Sequence, residues 1–72
     1  MTFSEQLMLV KRLHYLITVR GTGTPQKLAI KLGISRASVF KYLDELRNLG
    51  AEISYCRNRK SYYYKNEFIL SF

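Results

Sequence analysis

The chain has 72 residues, with twelve Lys/Arg against five Asp/Glu and a formal net charge of +7. So short a chain builds one domain around a modest core and leaves no room for a deep catalytic cleft with its scaffold. Hydrophobic residues make up 47%, which excludes a disordered chain, and the basic excess favours a polyanionic partner, nucleic acid ahead of an anionic membrane surface.

A single cysteine, Cys56, excludes an internal disulfide framework. The opening "MTFSEQLMLVKRL" has an early acid and a basic pair inside its apolar stretch, unlike a signal peptide. No apolar run approaches the roughly 18 residues of a membrane span. A cytoplasmic protein is expected.

A first helix is expected over about 3–20. Thr2 and Glu5 have the spacing of a capping box. Phe3, Leu7, Val10, Leu13 or His14, and Ile17 recur at three- and four-residue steps and form one apolar stripe. Arg20 falls in the last turn and Gly21 is placed to end the helix. The loop "GTGTP" follows. Thr24 caps a second helix over about 24–32, and Pro25 fits its first position because no donor is needed there. Leu28, Ala29 and Leu32 face inward, and Gly33 stops the helix.

A third helix is expected over about 35–49. Ser35 is its N-cap, and Ile34 with Val39 has the spacing of a hydrophobic staple. Val39, Leu43 and Leu46 form the core stripe, Tyr42 and Leu49 flank it, and Gly50 ends the helix. The period then changes from about 3.6 to 2. Ile53 and Tyr55, then Tyr62 and Tyr64, alternate with polar neighbours on either side of Arg57-Asn58-Arg59-Lys60. This reads as a hairpin over about 52–65.

Ala29, Gly33 and Val39 have the spacing of two helices crossing steeply through a short turn, the helix-turn-helix arrangement. The small alanine lets the helices approach, and Gly33 allows a backbone with positive φ. "LAIKLGISRASVFKYLDELRNLGAEI" resembles the winged helix-turn-helix domain that opens the biotin operon repressor/biotin protein ligase family, and related small bacterial regulators. The resemblance covers about residues 10–65. It implies a mainly α fold, a three-helix bundle with a small β-hairpin as the wing. It also implies a bacterial or phage transcriptional regulator that binds double-stranded DNA, third helix in the major groove and wing on the backbone. This wing lacks the glycines usual at the tip in that family, and the family's catalytic domain is absent, so biotin chemistry is not implied.

With Val39 inward, Ala37, Lys41, Asp44 and Asn48 point outward at about 100° per residue. Arg36 and Phe40 lie on one flank, Ser38 and Glu45 on the other. A recognition helix inserts its N-terminal end among base edges. Ser35, Ala37 and Ser38 are small enough to let the backbone approach, Arg36 can reach a guanine edge or a phosphate, and Lys41 can do either less directionally. Phe40 can touch a thymine methyl or pack on the first helix. Thr24, Gln26 and Lys27 are candidate phosphate contacts at the front of the second helix. Arg57, Arg59 and Lys60 are the wing's phosphate contacts, with Asn58 a turn former.

The tyrosines Tyr55, Tyr62, Tyr63 and Tyr64 can stack single-stranded bases, but such residues more often cover the core of a small sheet. The lone His14 and Cys56 have no partners at metal spacing, and no nucleophile-base-acid set can be assembled. A non-enzyme without metal or cofactor is expected. The apolar end "FILSF" exceeds what the core needs. Phe68 can close the core, while Ile69, Leu70 and Phe72 can form a homodimer contact or a strand edge, or belong to a longer chain. Two other functions stay open: a protein-interaction module working through this tail, and RNA or single-strand binding through the wing and tyrosines.

Overall fold

The computed structural model describes residues 2–70. Its elements are α1 (Phe3–Thr18), α2 (Pro25–Leu32), α3 (Arg36–Asn48), β1 (Ile53–Cys56) and β2 (Ser61–Tyr64). The two strands pair antiparallel, Ile53 opposite Tyr64 and Cys56 opposite Ser61. Three helices and a hairpin in this order form a winged helix-turn-helix.

Each helix starts on a side-chain cap. The Thr2 hydroxyl accepts from the Glu5 amide, and the Glu5 carboxylate accepts from the Thr2 amide, completing the capping box. Thr24 caps the Lys27 amide and Ser35 caps the Ser38 amide. Each helix ends in the same way too. An amide two or three residues beyond the last helical residue bonds back to a carbonyl five residues earlier: Gly21 to Leu16, Ile34 to Ala29, and Ala51 to Leu46. This closure places one residue in the left-handed region. In α2 that residue is Gly33, with φ +70°.

A Cβ added at Gly33 would meet nothing within 4 Å. Gly33→Ala is therefore expected to cost only the backbone strain, about 1–2 kcal/mol. A denaturant titration checks this through a lower midpoint at an unchanged slope. In α1 the left-handed residue is Arg20, φ +55°, rather than the expected Gly21. The helix closes one residue earlier because its end is set by the bonds of Arg20 to Ile17 and Gly21 to Leu16.

The core lies where the helices meet the hairpin. Leu13, Ile17, Leu28, Val39, Leu43 and Leu46 have no exposed surface, and Ala29, Ile53 and Tyr62 join them. Truncating one of the fully buried leucines costs about 2–5 kcal/mol. The expected α1 stripe needs one correction. Phe3 is 77% exposed because it sits on the open rim of a groove between the start of α1 and α3, whereas Leu9 and Leu16 pack against the core.

The hairpin needs a second correction. Ser61, expected outward, is buried together with Thr22. The Tyr62 amide donates to the Thr22 hydroxyl at 2.9 Å, and the Thr22 amide donates to the Ser61 hydroxyl at 3.1 Å. The two hydroxyls lie 3.1 Å apart, and Thr22 also donates to the Gly23 carbonyl. The segment before α2 is thus held against β2 by one threonine.

His14 Nδ1 and the Tyr64 hydroxyl share a 2.8 Å hydrogen bond, and the Phe68 ring meets His14 edge-on. Burial holds the His14 imidazole below its ordinary range and pushes the Tyr64 phenol up to about 12, so this contact is uncharged at neutral pH. Phe68 and Leu70 pack against the core, while Ile69 is 78% exposed. Phe72, part of the expected dimer contact, lies outside the described residues.

Candidate nucleic-acid interface

The turn through Gly33 and Ile34 sets α2 against α3 and leaves the front of α3 in solvent. Arg36, Ala37, Phe40 and Lys41 are exposed and Ser38 is half-buried. The Ser35 hydroxyl accepts from the Ser38 amide and donates to the Ser38 hydroxyl at 3.0 Å. Ser35 is thereby occupied with capping, and the Ser38 hydroxyl keeps its proton for an outside acceptor. The amides of Arg36 and Ala37 have no acceptor within the helix, so this end presents donors and a partial positive charge.

Arg36 and Lys41 mark opposite flanks of this face. The Tyr62 phenol is raised by burial and by Tyr55, against the pull of Arg47 and Arg36. The Arg36 charge is therefore felt at the hairpin. Lys41 instead lines a groove between α1 and α3 with Phe3, Leu7, Tyr42 and Glu45. Phe40 does not line that groove. It lies on the flank of Arg36 and is 42% exposed.

The rear half of α3 has the opposite character. Arg47 bonds the Asp44 carboxylate at 3.1 Å and the Ile53 carbonyl at 3.3 Å, which ties this half to β1. Asp44 and Glu45 are exposed and would repel a phosphate. The charge gradient along α3 therefore orients any polyanion toward its N-terminal end.

At the front of α2, Thr24 is occupied as the cap, while Gln26 and Lys27 are exposed. The four-residue turn between the strands exposes Arg57, Asn58, Arg59 and Lys60. Lys60 has φ +52°, so a lysine stands where a glycine would relieve strain. Lys60→Gly is expected to leave stability unchanged or raise it by up to about 1 kcal/mol. If Lys60 touches a phosphate, the same change flattens the salt slope of duplex binding by about 0.9. Melting and salt titration on one variant separate the two effects.

Arg20 was read from the sequence only as a helix-end residue. Arg20 places its guanidinium 5.2 Å from the centre of the Tyr63 ring, on the outer face of the hairpin. A helix-terminal arginine carries no sequence signal for a partner 43 positions away.

A family model described as an HTH domain matches residues 10–65. The chain belongs to the HTH domain family. No curated protein and no solved structure gives a match. As an HTH domain the chain is a DNA-binding, regulatory module of a typically non-enzymatic kind. Among the described residues, no helix of this HTH domain is long and apolar enough to cross a membrane.

Proposed function

We propose that this HTH domain binds double-stranded DNA sequence-specifically, as an intracellular transcriptional regulator, with α3 in the major groove and the wing on the flanking backbone. One observation carries this reading: the front of α3 combines exposed Arg36, Ala37 and Lys41 with the Ser38 hydroxyl, which accepts from Ser35 and keeps its own proton to donate, while its acids stand at the rear. Arg36 is the base reader, since its planar fork matches a guanine edge. Ser38 is a hydroxyl donor to a base or phosphate, and Phe40 contacts a thymine methyl. Ser35 and Ala37 keep the approach clear. Lys27, Lys41, Arg57, Arg59 and Lys60 neutralise phosphates, assisted by Gln26, with Thr24 and Asn58 shaping the backbone that presents them.

The tyrosines favour duplex over single strands. Tyr55 and Tyr62 pack edge-to-face on each other, Tyr64 packs on His14 and Phe68, and Arg20 covers Tyr63. Rings engaged in this way offer no open stacking platform.

The test is duplex binding across a salt series, with single-stranded DNA and RNA alongside. Five cations on phosphates give a log–log slope of about −4 to −5. Tighter binding of single strands, or a slope near zero, would remove this reading. A homodimer remains part of the proposal, because two copies would place two α3 helices on one face of a pseudo-palindromic site. Among the described tail residues Ile69 is the one exposed apolar side chain for such a contact.

A further inference from the structure

On the outer face of the hairpin, away from the core side of Tyr55 and Tyr62, lies an open hollow of about 260 Å³ lined by Arg20, Cys56, Arg59, Ser61 and Tyr63. Its two charged residues are both arginines, and no acid lines it. Glu67 lines a neighbouring hollow on the other side of Arg20. The floor is rigid, since Ser61 is locked into the buried hydrogen bonds with Thr22.

Arg20 is held over this hollow in an unusual way. Its backbone is left-handed at φ +55° in a position that suits glycine, and its guanidinium rests on the Tyr63 ring. The ring face fixes the guanidinium without neutralising it, so its N–H donors and charge stay available. Arg59 reaches the same hollow from the wing tip. Two arginines lining an acid-free hollow beside an aromatic ring supply the forked donors used in phosphate recognition.

We infer that this hollow binds a phosphate ester, gripped between Arg20 and Arg59. Two sources share that chemistry: a backbone phosphate of DNA running past the outer side of the wing, and the phosphate of a free nucleotide. The first source rests on the duplex-binding reading above, and the second does not. In either case Arg20, at the end of α1, joins a binding surface otherwise built from α2, α3 and the wing tip.

Cys56 is the one cysteine of the chain and lines the hollow, so its alkylation reports occupancy. The experiment measures the rate of Cys56 alkylation by iodoacetamide at matched ionic strength. The arms contain inorganic phosphate, a nucleoside monophosphate or duplex DNA, with duplex binding followed by fluorescence anisotropy in the same samples. A ligand in the hollow slows alkylation by about threefold at twice its Kd. R20Q and R59Q lose that protection, and R20K keeps part of it, with melting curves confirming that each variant is folded.

Protection by phosphate or the monophosphate but not by duplex assigns a free phosphate ester. Protection by duplex that R20Q abolishes, while still binding duplex, assigns the DNA backbone. No protection in any arm, or duplex protection unchanged in R20Q, overturns the inference. Duplex binding without protection defeats the hollow and leaves the DNA reading standing. Phosphate protection without duplex binding does the reverse.

Discussion

Arg36→Ala is expected to weaken binding to the preferred duplex by about 1–3 kcal/mol and to erase the preference at one base position. The reasons are local. Arg36 is the first residue of α3, exposed, and on the hairpin flank of the helix. The side chains that follow, Ala37 and Ser38, are small, so the helix end can approach base edges closely enough for a bidentate contact. Arg59→Ala provides the contrast. A wing arginine on a phosphate should weaken all sequences about equally. Competition binding against a randomised duplex pool separates the two, because only loss of a reader changes the ranking of sequences. Uniform losses from both variants would mean that Arg36 is one more phosphate contact.

Thr22→Val is expected to lower stability by about 1–3 kcal/mol, a large share of what a domain this small possesses. Valine matches the shape but cannot accept from the Tyr62 amide or bond the Ser61 hydroxyl, and Thr22 and Ser61 are 0% and 1% exposed. Both partners would be left buried without this partner. In a domain of this length each 1 kcal/mol appears as about 4–8 °C in melting temperature. The loss also has a location. Hydrogen exchange should accelerate first at the Tyr62 amide, because the bond removed is the one that ties the hairpin to the segment before α2. An unchanged melting temperature would show that Thr22 does not hold the wing.

Local features of the fold were readable in the sequence, and side-chain partnerships over long separations were not. Thr2, Thr24 and Ser35 cap the helices for which their spacing marks them, and Gly33 takes the positive φ that the turn needs. The inward residues of α2 and α3 follow their periodicity without exception. The departures have physical causes. Ser61 stays on the Tyr63 face of the hairpin and is buried there because Thr22, 39 positions earlier, covers it, and no pattern within the hairpin encodes that. Arg20 takes the left-handed position expected of Gly21, because carbonyls left open at the helix end select a position and not a residue type. Phe3 keeps the period of the α1 stripe but stands on the open rim of the groove between α1 and α3.

The candidate interface divides in the same way. The front of α3 and the wing tip were legible, since amphipathic spacing tells which residues of a helix face outward and a charged turn has nowhere to hide. The division of labour within that surface was not legible. The spacing marks Ser35 as a cap, but not that its hydroxyl also donates to Ser38 and leaves the Ser38 proton for an outside acceptor.

The central claim is that DNA meets the N-terminal end of α3 together with the wing. Backbone amide chemical shifts, followed as a short duplex is added to the labelled protein, test it most directly. The account predicts that the largest changes fall on residues 24–27, 35–41 and 57–60, with the outer side of α1 around Met8 and Tyr15 unmoved. Changes concentrated on α1 or on residues 67–70, with residues 35–41 silent, would contradict it.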